Sequence, residues 1–132
     1  MRLTLIGYWL GENEPGWPDV HRFVDSNWSV DERQAVLDWL DSGVKIRFFL
    51  GASTCRFCGR ANGSSEASDG EFLWPDGLGH NVREHDVRLP SSAVERAMQR
   101  PTIDNSRLEG AEERGDLLIE IEWWRHQRPD WT

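Results

Sequence analysis

At 132 residues, with 38% hydrophobic and 29% charged residues, the chain is long enough to bury a core as one domain (1–132) without several staples. Eight Trp and five Phe supply the large apolar bodies that disordered chains lack. A formal charge of -8 argues against nucleic-acid binding, which depends on clustered Lys and Arg, and favours a cationic or neutral protein partner. Fourteen of the fifteen basic residues are Arg, a bias that a GC-rich genome accounts for as well as guanidinium chemistry does.

The apolar run from Leu3 to Leu10 predicts a first strand covered on both sides. It has no small-residue cleavage site, so it reads as a strand and not as a signal peptide, and no stretch reaches the length of a membrane span. The expected compartment is the cytoplasm, with no membrane partner. Glu12 to Pro18 carries two prolines and a glycine and predicts a loop, and Pro18 opens a short helix that turns Val20, Phe23 and Val24 inward. Asp31 then reads as an N-cap with Gln34 as its capping-box partner and Val30 and Ala35 as a staple. Val36, Leu37, Trp39 and Leu40 form the buried stripe of that helix, and Gly43 ends it.

Val44 to Leu50 predicts a strand with Val44, Ile46 and Phe48 on one face and Lys45 and Arg47 on the other. The Ser, Gly and Glu-rich stretch from Asn62 to Gly70 reads as an exposed excursion, followed by a short strand over 71–74. A helix begins at Pro75 and places Leu78, Val82 and His85 on one face, and another runs from Ser91 or Ser92 through Val94 and Met98 to Pro101. Residues 105–115 are polar enough for a mobile connection. Leu117 to Trp124 fits both periods, and Glu120 and Glu122 between apolar residues favour a strand. The expected architecture is α+β: a small mixed or antiparallel sheet, three or four helices, and a zinc-stabilised loop within 53–90.

The two cysteines lie in one segment, Cys55-Arg56-Phe57-Cys58-Gly59, where a two-residue spacer lets both thiolates address one ion and Gly59 frees the chain to turn. His80 and His85 complete the pattern C-x2-C-x21-H-x4-H, with both short spacings in the structural-zinc range. Residues five apart on an ideal helix are about 140° apart around the axis, so the helix must end near His85. The competing readings are a redox or disulfide pair and merely buried thiols; a redox pair opens a helix, and here Gly59, Asn62 and Gly63 follow. His21 and His126 have no ligand-spaced neighbours.

The segment from Cys55 to Pro90 resembles a family of small bacterial proteins of unassigned activity. The resemblance rests on Cys55, Cys58 and Gly59, on Asp69-Gly70, on Phe72 to Pro75, on Leu78, His80 and His85, and on Val87 to Pro90. It implies a shared zinc-bearing substructure and no activity. Asn81 departs from the pattern, which has an aromatic residue after the first histidine.

Four ligands leave no open position for water, so the expected role is a zinc-stabilised binding or regulatory module, with Phe57, Phe72 and Trp74 as either its contact patch or its miniature core. The competing class is a zinc hydrolase with Glu84 as general base, which requires one ligand to be absent from the metal. Its His80, Glu84, His85 spacing is one residue longer than H-x-x-E-H. A third possibility uses Trp17, Trp28, Trp124 and Trp131 as sugar-stacking platforms. No phosphate-binding glycine loop, nucleophile elbow or dinucleotide fingerprint is present.

Overall fold

Leu3 and Leu5 alternate with Thr4 in the first strand, and the same period recurs where Phe72 and Trp74 flank Leu73; these two segments pair at the centre of the sheet. In the computed structural model, which describes residues 1–131, the elements are β1 (Arg2–Leu5), a 3-10 turn (Val20–Phe23), α1 (Val30–Ser42), β2 (Val44–Phe48), β3 (Ser65–Ser68) and β4 (Phe72–Pro75). They continue with α2 (Gly77–His85), α3 (Ser91–Met98), α4 (Asn105–Leu108), β5 (Leu118–Glu120) and α5 (Glu122–Arg125). Among the described residues the sheet order is β2-β3-β4-β1-β5. β1 runs parallel to both β4 and β5, and β2, β3 and β4 are joined antiparallel. This is the mixed sheet of an α+β fold.

Both faces are covered. Ile6, Ala67, Phe72 and Trp74 meet the apolar stripes of α1, α2 and α3, through Val36, Leu40, Leu78, Val82, Val94 and Ala97. Leu3, Leu5, Ile46 and Leu73 form a smaller core on the other face with Leu108, Ile103 and Leu117. No helix among the described residues is long and apolar enough to cross a membrane.

Several local expectations are corrected. The N-cap of α1 is Ser29, whose hydroxyl accepts from Glu32 N at 3.2 Å, and Asp31 lies inside the first turn. Val30 is 80% exposed, because the residue that docks ahead of the cap is Trp28, buried at 4% with its indole donating to Glu32 at 2.9 Å. Val24 and Phe48 also face outward, the latter beyond an irregularity in β2 between Lys45 and Arg47 that shifts the register. Residues 105–115 are no free connection, since Leu108 is buried in the second core and Ala111 is also fully buried. Both readings of 117–124 hold in part, with β5 followed directly by α5.

The largest correction is β3, which occupies the stretch expected to be an exposed excursion. Every residue of Ser65–Ser68 is buried. Burying polar side chains is tolerable only when each finds partners. Ser68 Oγ donates to Phe72 O at 2.6 Å, and Ser65 Oγ donates to Asp76 Oδ2 at 2.6 Å. Glu66 accepts from the Tyr8 hydroxyl and lies 3.2 Å from Arg47 Nε, whose N-H is not directed at the carboxylate, so that contact is an ion pair without a hydrogen bond. Asp69 accepts from Trp39 Nε1 at 2.9 Å, Arg96 Nε at 2.8 Å, and the backbone N-H of Glu71 and Phe72, tying α1 and α3 to the β3–β4 turn.

Asp69 has no exposed side-chain surface, so Asp69→Ala strands the Trp39 indole and leaves Arg96, which is 24% exposed, with its second ion pair to Glu71 Oε2 at 3.2 Å. It should cost about 1 to 3 kcal/mol in urea unfolding, the range for leaving a buried donor unsatisfied. Burial pushes the Glu66 carboxyl above the usual carboxylate range, with Tyr8 and Arg47 opposing the shift. The folded state therefore holds that proton more tightly than the unfolded chain, and the stabilisation it gives is lost as pH rises through the raised value. The stability of the wild type relative to Glu66→Gln, which does not titrate, should fall as pH rises above about 4, measured by urea unfolding across pH 4 to 8.

Candidate metal centre

The segment between β2 and β3 leaves the sheet and returns as a narrow hairpin. Ser53 N donates to Gly63 O at 3.0 Å, Asn62 N to Ser53 O at 3.0 Å, and Cys55 N to Arg60 O at 2.9 Å. At its tip Gly59 N donates to Cys55 O at 2.9 Å, and Gly59 adopts φ 71°, the left-handed region that a side chain there would resist. The hairpin's return rests on the start of α2: Gly63, at φ 117°, packs so closely that a Cβ would lie 2.3 Å from Asp76 Cβ. The tip therefore hangs beside α2, facing the side that carries the histidines.

Cys55, Cys58, His80 and His85 each present a ligand atom, and these atoms all lie within 4.8 Å of one another. The edges of a tetrahedral zinc site with two sulfurs and two nitrogens are about 3.4 to 3.8 Å, so a contraction of about 1 Å closes the set on one ion. Cys58 Sγ is already 3.4 Å from His80 Nε2. His85 Nε2 is buried and has no hydrogen-bond partner among the described residues, a state that costs free energy unless something accepts its lone pair or its proton. The sulfurs are not bonded to each other. The donor set and the orphaned nitrogen both fit a metal.

His85 is the last residue of α2, and Asp86 follows in the left-handed conformation at φ 57°. The helix ends where the five-residue spacing of the histidines requires it to. Phe57 holds the second imidazole in place, stacking on His85 at 4.6 Å between centroids and 16° between planes, and it also meets His21 at 4.7 Å, tilted by 57°. Phe57 is half-buried while Phe72 and Trp74 are buried, so these three aromatics belong to the core rather than to a surface patch. Every Trp is buried or packed against that core, and no exposed pair forms a stacking platform.

Two residues beside the cluster have roles that the sequence did not indicate: Asn81, noted only as a departure from the family pattern, and Arg56. Asn81 is 3% exposed, accepts from Trp9 Nε1 at 3.1 Å and donates from Nδ2 to Cys55 Sγ at 3.6 Å. The indole is a donor only, so it fixes the carboxamide with its NH2 toward sulfur, where a donor favours thiolate. The signal was a polar residue on the apolar stripe of Leu78 and Val82. Arg56, between the cysteines, bonds Leu10 O at 3.2 Å, Trp9 O at 3.4 Å, Thr54 O at 3.1 Å and Glu14 Oε2 at 3.3 Å, pinning the hairpin to the chain that leaves β1. Nothing in a C-x-x-C pattern signals that role.

Glu84 is exposed and borders an open depression of about 370 Å³ with Cys58, Arg60, His80 and His85. Comparison with known protein families, curated proteins and solved structures finds no match to this chain.

Asn81→Leu removes the acceptor for Trp9 and the donor for Cys55 while keeping the volume apolar. It should destabilise the protein by about 1 to 3 kcal/mol through the stranded indole. Competition with a chromogenic chelator should show metal affinity about 10- to 100-fold weaker, the scale of losing a group that orients a ligand.

Proposed function

We propose that the chain is a zinc-stabilised binding module, in which Cys55, Cys58, His80 and His85 hold a structural zinc ion and the acidic surface engages a cationic or neutral protein partner. The observation that carries the reading is the convergence of four ligand atoms within 4.8 Å, from a hairpin and a helix. Two thiolates with two imidazoles are a zinc set, and four protein ligands fill a tetrahedral shell. The net charge of -8 steers cationic surfaces toward the protein and repels nucleic acid.

The hydrolase reading draws on one observation, that Glu84 borders the depression over the cluster. It needs a vacant coordination position, which arises only if a ligand leaves the metal. Substituted cobalt distinguishes the two by spectrum. The intense visible bands of a tetrahedral S2N2 site support the structural role, and the weak bands of a five-coordinate, water-bearing ion support the enzyme.

The purified protein should contain one zinc per chain by elemental analysis. A metal at 1,000 times its dissociation constant adds about 4 kcal/mol, and about 1 kcal/mol moves the midpoint of a chain this size by about 4 °C. Chelation should therefore lower the thermal midpoint by about 15 °C, and His85→Ala should abolish the difference between chelated and untreated protein. A metal-free preparation with an unchanged midpoint would refute the reading.

A further inference from the structure

β2 is an edge strand, and its outer end carries three consecutive exposed apolar residues. Phe48 is 68% exposed, Phe49 45% and Leu50 104%. Scattered apolar residues need no explanation, but a Phe-Phe-Leu run at one tip marks a contact surface. Behind it lies a groove of about 360 Å³ walled by Phe49, Leu50, Tyr8 and Pro75. A second cleft of about 360 Å³ adjoins it, since Tyr8, Ala52, Ser53 and Pro75 line both. This one is polar, and Glu12, Asn13 and Glu14 stand on its rim. Glu14 is paired with Arg56, whereas Glu12 has no ion-pair partner among the described residues.

We infer that these adjoining clefts are one docking site, and that its occupant is a segment of another protein carrying an apolar side chain next to an Arg or Lys. The apolar residue enters the groove against Phe49 and Leu50, and the cation meets Glu12 at the mouth of the polar cleft. This deepens the binding-module reading and rests on it. Pairing of an added strand on β2 is disfavoured, because the register shift between Lys45 and Arg47 interrupts the ladder and Arg47 also reaches across to Glu112 at 3.6 Å. Recognition therefore runs through side chains. A second copy of the chain is a poor occupant, since each brings a charge of -8 and the rim is acidic.

The test uses the full metal-loaded chain and fluorescein-labelled decapeptides that place Phe or Leu beside Arg, with controls in which the apolar residue is Ser or the Arg is Glu. Fluorescence anisotropy should show the Phe-Arg and Leu-Arg peptides binding at least about tenfold more tightly than either control. Leu50→Asp and Glu12→Lys, both at exposed positions, should each weaken binding by about tenfold. Binding left unchanged by both substitutions overturns the assignment of these clefts while the binding-module reading stands. Equal binding of peptides and controls also overturns it. Absence of binding by every peptide counts against both, and a dimer in sedimentation that Leu50→Asp dissolves shows the occupant to be a second copy.

Discussion

Between residues 49 and 64, Cys55 alone is buried, and half-buried Phe57 is the one further apolar side chain there that packs against the core, so this part of the chain has little apolar contact to hold it in place. Ordering backbone costs about 1 to 2 kcal/mol per residue, and a few hairpin hydrogen bonds exposed to water return little of it. Under the proposed function, coordination of a metal by two thiols and two imidazoles supplies what the hydrophobic effect does not. A metal bound in this way contributes about 10 to 16 kcal/mol in small zinc peptides, a large share of the cost of ordering a hairpin of this size. Sheet and helices stand on ordinary cores, but the hairpin, and whatever surface it shapes, depends on the cluster.

The helix side of the cluster is held more rigidly. Leu78 and Val82 are fully buried, and the last turn of α2 is closed by Asn81 O accepting from Val87 N at 3.3 Å. Asp25 N then donates to Asp86 O at 2.9 Å, and Arg88 N to Phe23 O at 2.8 Å, which join the helix exit to the 3-10 turn. The histidines are thus presented by a fixed element and the cysteines by a dependent one. Metal loss should free the hairpin first and leave α2 in place.

What could be read from the chain and what could not divide along a physical line. The cysteine and histidine spacing was legible because coordination geometry restricts both residue type and separation, and the stripe of α1 because burial repeats with the helical period. β3 was not legible: Ser65, Glu66 and Ser68 are chemically suited to solvent, and only partners distant in sequence, Tyr8 and Arg47 for Glu66 and Asp76 for Ser65, make their burial tolerable. The start of α1 failed for a different reason. Ser29 with Glu32 and Asp31 with Gln34 satisfy the same local pattern, and the choice falls to Trp28, whose docking places Arg33 5.9 Å from its ring centroid. In each case long-range packing decides between local options.

The same dependence explains why Arg56 lies inside the metal motif. A guanidinium offers five donors in a fixed plane, and here it spends them on carbonyls of Trp9, Leu10 and Thr54 and on the Glu14 carboxylate. The residue flanked by the two thiols is therefore the one that fixes the loop leaving β1, including the turn closed by Gly11 and Glu14, whose backbone groups bond each other at 3.0 and 3.2 Å. A metal that positions Cys55 and Cys58 also positions Arg56, and through it the acidic rim of the cleft. The proposed metal site and the proposed docking surface are in this way coupled, through Arg56 and through Asn81, which bonds both Trp9 and Cys55.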